Sequence, residues 1–127
     1  MRALAPAASG ATLITLSGEL GAGKTSFAQA VAKELGVLEP VTSPTFVLMK
    51  EYPLPEGSAF SRLVHIDAYR LKGGTELPAT GFFERMQDPR TLVLLEWPEM
   101  VADALPVPRA AITIGILPDR SRTLAYA

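Results

Sequence analysis

Eight consecutive residues near the start of the chain have the types and spacing of a phosphate-binding loop. They read Gly18-Glu19-Leu20-Gly21-Ala22-Gly23-Lys24-Thr25 and fit the pattern G-x-x-x-x-G-K-[ST]. Glycines let the backbone turn so that successive N–H groups face phosphate oxygens. The Lys24 ammonium can then neutralise the β- and γ-phosphates while the Thr25 hydroxyl binds Mg²⁺. A chance match is expected in roughly 0.5% of chains of this length at ordinary residue usage, so the loop predicts nucleotide binding.

The segments on either side of this loop have the patterns of a strand and a helix, which is the placement that phosphate binding requires. Thr12–Leu16 is short, apolar and β-branched, as in a buried strand. Lys24–Leu35 carries apolar residues at four-residue steps, beginning with Phe27 and Val31, and predicts an amphipathic helix. Gly36 is a natural end for that helix. The positive end of the helix would face the same phosphates as the loop.

Two acidic residues follow apolar runs and are candidates for the metal site. Glu96 ends the run Leu92–Glu96, and Asp67 ends the run Leu63–Asp67. A P-loop ATPase uses such an acid at a strand end to hold Mg²⁺ or its water shell, although a solvated acid is the alternative for each. Period-two alternation places His65 on the same face as Asp67, where a packed or hydrogen-bonded structural histidine is commoner than a catalytic one.

The remaining runs predict an α/β fold with a mixed sheet. Further strands are predicted at Thr45–Met49, Arg62–Ile66, Thr91–Leu95, Ala110–Leu117 and Arg122–Ala127. The first two can pair antiparallel through a loop that contains Pro53, and the continuous apolar run of Thr91–Leu95 predicts a strand buried on both faces. Thr75–Gln87 is weakly helical and broken by Pro78 and Gly81. This mixture predicts a three-layer α/β architecture but not its strand order.

Composition limits the classes of function. The 127 residues suffice for one domain with a hydrophobic core. The net charge of −1 gives no global basic field for nucleic acid, and the absence of cysteine excludes disulfides and Cys-based metal sites. No apolar run approaches the roughly 18 residues of a membrane span. The start, Met1–Ala8, is broken by Pro6 and reads as a ragged N-terminus rather than a signal peptide, so we expect a cytoplasmic protein.

Four segments in series resemble one family, the bacterial ATPase of tRNA threonylcarbamoyladenosine biosynthesis called TsaE or YjeE. They are Gly18–Phe27, Val41-Thr42-Ser43-Pro44-Thr45-Phe46, His65-Ile66-Asp67-Ala68-Tyr69-Arg70-Leu71 and Glu96-Trp97-Pro98-Glu99. The phosphate loop alone is generic, whereas the other three segments, in this order and spacing, are specific. The resemblance runs from about Thr12 to Met100 and weakens afterwards.

The resemblance implies a P-loop NTPase-like fold with a mixed, largely parallel sheet, and it implies the site residues. Mg²⁺ would be bound by Thr25 and Glu96. The residues expected at the ATP are Glu19, Leu20, Gly21, Ala22, Gly23, Lys24, Thr25, Ser26 and Trp97. Thr45 would lie in a switch-like loop, where a hydroxyl can sense γ-phosphate and Mg²⁺, although Ser43-Pro44-Thr45 by itself also fits a plain turn before a strand. Lys24, Thr45 and Asp67 are the catalytic candidates, Asp67 with a catalytic or metal-tuning role.

The function that the resemblance implies is an accessory one. The ATPase of this family works with two partner proteins that transfer threonylcarbamoyl to adenosine 37 of tRNAs reading codons that begin with A. ATP binding and hydrolysis would reset that complex between turnovers, and the carbamoyl transfer itself belongs to the partner. We expect tRNA contact only through the partners, because the sequence has no basic stripe interleaved with exposed aromatics.

One departure from the family concerns the N-terminus. Family members usually have a strand and a helix before the P-loop strand, whereas 17 residues precede Gly18 here. We therefore expect a single P-loop domain over residues 1–127, with residues 1–11 disordered or truncated. The missing segment normally helps to cover the nucleotide base, so base contacts are affected but the phosphate chemistry is not.

Two other functions fit the phosphate loop. A small-molecule kinase would need an acceptor pocket and usually an arginine-bearing lid, for which this length leaves little room. A non-catalytic module whose partner binding is gated by nucleotide needs no hydrolytic groups. Arg70, Arg85 and Arg90 are candidates for an arginine finger, although each is more often a surface residue.

Overall fold

A computed structural model of the chain describes residues 10–18, 23–37, 49–116 and 122–126, with Ile116 and residues 122–126 described as strand backbone. The strands are β1 (Thr12–Ser17), β2 (Met49–Pro53), β3 (Arg62–Asp67), β4 (Thr91–Glu96), β5 (Ala110–Ile116) and β6 (Arg122–Tyr126). The α-helices are α1 (Lys24–Glu34) and α2 (Phe82–Arg85), and two 3₁₀ helices cover Gly74–Thr80 and Pro98–Val101. The predicted helix after the phosphate loop and the predicted strands before it and at 91–95 are confirmed.

The strands of the described residues form one mixed sheet in the order β2-β3-β4-β1-β5-β6. β3, β4, β1 and β5 are parallel neighbours, whereas β2 and β6 are antiparallel at the two edges. The predicted mixed, largely parallel sheet is therefore confirmed. Because the central strands are parallel, their carboxyl ends meet along one edge of the sheet, where ligands bind in open α/β folds.

Alternation of side chains along the strands separates the core into two layers on opposite faces of the sheet. The face that packs on α1 contains Ile14, Leu16, Ala28, Ala32, Leu92 and Leu94. The face that packs on α2 and the two 3₁₀ helices contains Leu13, Leu77, Phe82, Val93, Leu95 and Val101. Every residue of β4 is buried, as the apolar run predicted. The predicted three layers are thus helix, sheet and short helices.

Strand β2 differs from its predicted position. Residues 45–48 of the predicted strand lie outside the described residues. Strand β2 spans Met49–Pro53, so it shares Met49 with the predicted strand and includes residues 50–53, which the sequence analysis had left to the connecting loop. Tyr52 explains the extension, because its side chain is buried in the core on the α1 face. Pro53 is tolerated because β2 is an edge strand that needs few backbone donors. The predicted antiparallel pairing of β2 with β3 is confirmed.

The predicted break at Pro78 is wrong, whereas the break at Gly81 is confirmed. Pro78 lies inside the 3₁₀ helix of Gly74–Thr80, and Gly81 separates this helix from α2 with a left-handed φ of 85°. The fixed φ of proline, near −65°, suits a 3₁₀ helix. The neighbouring Leu77 is fully buried and anchors the turn to the core. None of the described helices combines the length and the apolar character that crossing a lipid bilayer requires.

Candidate functional site

The carboxyl ends of β1, β3 and β4 converge and bring the sequence-predicted acids together. Glu96 is the register partner of Leu16 on β1 and of Asp67 on β3. Two backbone hydrogen bonds continue this alignment past the strand ends: the Ala68 N–H donates to the Glu96 carbonyl at 3.0 Å, and the Trp97 N–H donates to the Leu16 carbonyl at 3.0 Å. Both carboxylates therefore lie at the edge of the sheet from which the phosphate loop departs.

Lys24 begins α1 and lies at this same edge. Its side chain is buried, with 5% exposure, and its Nζ donates to the Gly18 carbonyl. The ammonium also lies 4.1 Å from the centroid of the Trp97 ring, a distance typical of a cation–π contact. Burial lowers the pKa of Lys24, and the negative charges of Glu96, Glu99 and Asp67 oppose that shift. A desolvated cation among carboxylates is prepared to receive a more strongly charged anion such as a polyphosphate.

The backbone around Lys24 suits an anion. Gly23 adopts a left-handed φ of 103°, and Gly18 has a φ of 151°, both conformations that glycine takes at least cost. The first turn of α1 contains no acidic residue that would compete for its N-terminal N–H groups. Thr25, the next residue, is partly exposed, and Ser26 is exposed. The N-terminal end of α1 and the Lys24 ammonium thus lie together at this sheet edge.

Glu96 is held by a histidine from the neighbouring strand. His65 Nε2 lies 2.5 Å from Glu96 Oε2, and both side chains are buried. His65 and Glu96 share the α1 face because His65 is opposite Leu94 in the parallel register, two residues before Glu96. The sequence placed His65 beside Asp67 on one strand. Its hydrogen bond instead reaches across to Glu96, which supports the hydrogen-bonded role that the sequence favoured.

Asp67, Tyr69 and Trp97 form the rim of the site. Asp67 is buried, and its Oδ1 accepts from the Tyr69 N–H at 2.9 Å. The ring centroids of Tyr69 and Trp97 are 4.9 Å apart and their planes are tilted by 51°. Trp97 has a φ of 61°, the only positive φ of a non-glycine residue in the described segments, and a bulky side chain in this region is strained by about 1–2 kcal/mol. That conformation places the indole over Lys24.

Some predicted site residues cannot be located here. Glu19, Leu20, Gly21, Ala22 and Thr45 lie outside the described residues, so their proposed contacts stay predictions.

Two of the three candidate arginines lie away from the site. Arg85 pairs with Glu51 at 2.7 Å, and Arg90, which precedes β4, donates to the Ser58 carbonyl at 2.8 Å. These residues surround the amino end of β3, away from Glu96. Arg70 is exposed.

The chemistry of the donors fits Mg²⁺ with a nucleotide triphosphate. Mg²⁺ prefers hard oxygen ligands, keeps several waters and uses one or two carboxylates together with phosphate oxygens. Thr25 offers a hydroxyl, and Glu96 and Asp67 offer carboxylates at one sheet edge. No group of three or more His, Asp or Glu side chains that would form a self-sufficient metal site occurs within the described segments. The hydroxyl and carboxylate oxygens at this edge fit a metal that also takes phosphate oxygens as ligands.

Comparison with known proteins identifies the family. A family model for the threonylcarbamoyl adenosine biosynthesis protein TsaE matches residues 1–124. The chain belongs to the TsaE family. It is 40% identical over 104 residues to the tRNA threonylcarbamoyladenosine biosynthesis protein TsaE of Streptomyces coelicolor, covering 80% of this chain and 67% of that protein. It is 34% identical over 115 residues to TsaE of Bacillus subtilis, covering 90% and 68%.

A solved structure supports the same assignment. The crystal structure of YdiB from Bacillus subtilis aligns with a TM-score of 0.67 and 31% sequence identity, covering 94% of this chain and 69% of YdiB. The α/β P-loop-like fold expected for a TsaE family member is therefore confirmed.

Two features of this TsaE site were missed by reasoning from the sequence. The first is the Tyr69–Trp97 ring pair; Tyr69 was part of the His65–Leu71 segment that carried the resemblance, but no role was assigned to it. The second is the contact between His65 and Glu96. The His65–Glu96 contact had a signal in the sequence, because odd positions of β3 and even positions of β4 face α1. The strand order that makes these two strands neighbours was not known.

Proposed function

We propose that this chain binds ATP with Mg²⁺ at the carboxyl edge of its sheet and hydrolyses the ATP as an accessory step in threonylcarbamoyladenosine formation at position 37 of tRNAs that read codons beginning with A. The observation that carries the proposal is the buried Lys24 ammonium, placed beside the Trp97 ring at the edge where Asp67 and Glu96 end their strands. Membership of the TsaE family supports the pathway.

In this proposal each residue has a stated task. The Lys24 ammonium and the N–H groups at the start of α1 bind and orient the β- and γ-phosphates. Thr25 and Glu96 hold Mg²⁺, which when bound supplies positive charge against the oxygens of the transferring phosphoryl group. Asp67 tunes the metal through its place beside Glu96. Trp97 and Tyr69 lie near the nucleotide and limit access of solvent.

The reaction is in-line attack of water on the γ-phosphorus. A bond forms between the water oxygen and phosphorus while the bond to the β–γ bridging oxygen breaks, giving ADP, inorganic phosphate and a proton. Little covalent chemistry is required of the protein, so positioning and electrostatics supply the rate. The chain alone should hydrolyse ATP slowly if a partner completes the site.

The proposed partners are the two proteins of the threonylcarbamoyl-transfer complex, and tRNA would be reached through them. A net charge of −1 supports this division, because direct tRNA binding relies on an excess of basic side chains.

The test is ATP hydrolysis with Mg²⁺ by the wild type, Thr25→Ala and Glu96→Ala, each alone and with the candidate partner proteins. We expect the partners to raise the rate and both substitutions to lower it by at least about 100-fold, the scale for removing one group that stabilises transition-state charge. Thr75→Ala and Glu84→Ala, which change exposed residues of the same types elsewhere, are matched controls and should keep the wild-type rate.

Three results would change the assignment. Wild-type hydrolysis by Lys24→Ala would overturn it. ATP binding without hydrolysis under every condition, together with ATP-dependent partner binding, would identify a nucleotide-gated binding module. Transfer of phosphate to a nucleoside or small metabolite would identify a kinase.

A further inference from the structure

We propose that His65 is a positioning residue for the metal site: its Nε2–H holds Oε2 of Glu96 and so fixes the orientation in which the Glu96 side chain is presented to Mg²⁺ or a metal-bound water. The inference rests on the proposed function, since it assigns a task to His65 within that site. Without this contact, packing alone would orient the buried Glu96 side chain at the end of β4.

The contact itself is short and buried. His65 Nε2 and Glu96 Oε2 are 2.5 Å apart, and the two side chains are 0% and 4% exposed. This separation is shorter than the roughly 2.7–2.9 Å of a charge-assisted N–H···O bond, so the ring and the carboxylate are in direct hydrogen-bond contact. The carboxylate oxygen of Glu96 that the ring contacts is Oε2.

The opposite nitrogen of the ring decides where the proton lies. His65 Nδ1 is buried and has no hydrogen-bond partner within the described part of the chain. A protonated imidazolium would leave a charged N–H without a partner at Nδ1, which is costly in an apolar core. A neutral glutamic acid that donates to Nε2 would leave an N–H at the same place. The remaining arrangement places the ring proton on Nε2, from which it is donated to Glu96 Oε2, and buries only a lone pair at Nδ1.

The fold makes this arrangement rigid. His65 and Glu96 lie on adjacent parallel strands in fixed register, and the Glu96 backbone carbonyl is also tied to the Ala68 N–H. Groups that hydrogen-bond to metal ligands in this way commonly contribute 10- to 100-fold to metal affinity, on the order seen for other outer-shell partners. A histidine that only filled the core would contribute nothing of that kind.

The experiment measures metal binding in addition to activity. Mn²⁺, used as a paramagnetic probe for Mg²⁺, is titrated into the full chain with a non-hydrolysable ATP analogue, and free Mn²⁺ is followed by electron paramagnetic resonance. We expect His65→Leu to weaken Mn²⁺ binding about 10- to 100-fold while the analogue binds unchanged without metal. His65→Gln should restore most of the affinity, because its amide N–H can reach the position of Nε2. Tyr52→Phe, which removes another buried polar atom without a partner, is the control and should bind Mn²⁺ as the wild type does.

A second readout needs no variant. His65 is the only histidine of the chain, so ¹⁵N-histidine labelling of protein without a histidine tag gives the spectrum of one ring. The proton is expected on Nε2 and not on Nδ1. A proton on Nδ1 would overturn the inference, as would equal Mn²⁺ affinity for folded His65→Leu and wild type, or a His65→Gln variant as weak as His65→Leu.

The outcomes separate the two proposals. A wild type that binds the analogue and Mn²⁺ no differently from His65→Leu refutes the role of His65 and leaves the proposed function standing. A wild type that binds neither ligand refutes the proposed function, and the role of His65 fails with it.

Discussion

Replacing Gly74 by alanine should destabilise the protein because two segments meet there at close range. Gly74 begins the first 3₁₀ helix and is buried against the segment that follows the second. A Cβ at this position would lie 2.5 Å from the Ala104 Cβ and 2.6 Å from Asp103 Oδ1. The Gly74 N–H also donates to Asp103 Oδ1 at 2.8 Å. The added methyl group therefore meets one atom that cannot rotate away and displaces the acceptor of a hydrogen bond.

The magnitude follows from these two effects. Overpacking a tight contact costs about 1–3 kcal/mol, and losing a hydrogen bond to a charged acceptor costs about 1.5–3 kcal/mol. The smaller conformational entropy of alanine in the unfolded chain returns about 0.4–1 kcal/mol. We expect a net loss of about 2–5 kcal/mol in the free energy of unfolding, a large part of the 5–15 kcal/mol typical of a domain.

Urea unfolding followed by circular dichroism measures this loss, and the neighbouring glycine provides the control. Gly73 has an extended φ of 165° and no atom within 4 Å of an added Cβ, so Gly73→Ala should be neutral or slightly stabilising. The double variant Gly74→Ala/Ala104→Gly should recover part of the loss, since it removes the nearest clash. A Gly74→Ala protein within about 0.5 kcal/mol of the wild type, the range of an ordinary surface substitution, would refute the reasoning.

Three further predictions concern charge. Trp97 is the only tryptophan, and its ring contacts the Lys24 ammonium. ATP binding, which moves that ammonium toward the phosphates, should therefore change the fluorescence of Trp97. In an ATP titration of Lys24→Met this change should be absent. Burial lowers the pKa of Lys24, so the unfolded chain binds more protons than the folded chain between the folded pKa and the ordinary value of about 10.4. The stability of the wild type relative to Lys24→Met should therefore rise with pH. Urea unfolding from pH 8 to about 10.4 measures this. Hydrogen bonds from the Arg90 N–H and then from Arg62 lower the pKa of Asp88. The ionised Asp88 should therefore stabilise the folded protein above about pH 4, and this contribution should disappear at lower pH. The free energies of unfolding of wild type and Asp88→Asn should then become equal in acid.

Much of the candidate site could be predicted because its signals are local. The phosphate loop is contiguous, and the strand that carries Glu96 is marked by its own apolar run, β4. Both acids were recognised because they follow such runs. The antiparallel β2–β3 pair was predicted for a similar reason, since a short connection joins the two strands.

The features that could not be predicted depend on contacts between distant segments. Pairing of His65 with Glu96 requires β3 and β4 to be adjacent and in a specific register, which neither segment encodes alone. The left-handed conformation of Trp97 is contrary to the preference of a bulky residue, so no propensity would indicate it. The position of β2 depends on burial of Tyr52 in a core formed by other strands. In each case tertiary packing overrode the local pattern.

The central position of β1 in the sheet determines how late in synthesis the sheet can assemble. β1 pairs with β4 and β5, and its first partners, Thr12 with Leu92 and Ile14 with Ala110, are 80 and 96 positions apart. A ribosome adding about 5–20 residues per second needs about 4–16 s to reach Leu92 after Thr12. During that interval the nascent phosphate-loop strand has neither of its neighbours, and its apolar residues have no sheet to enter. The strand that begins the nucleotide site is therefore synthesised well before both strands that flank it, and its apolar residues need protection until those strands arrive.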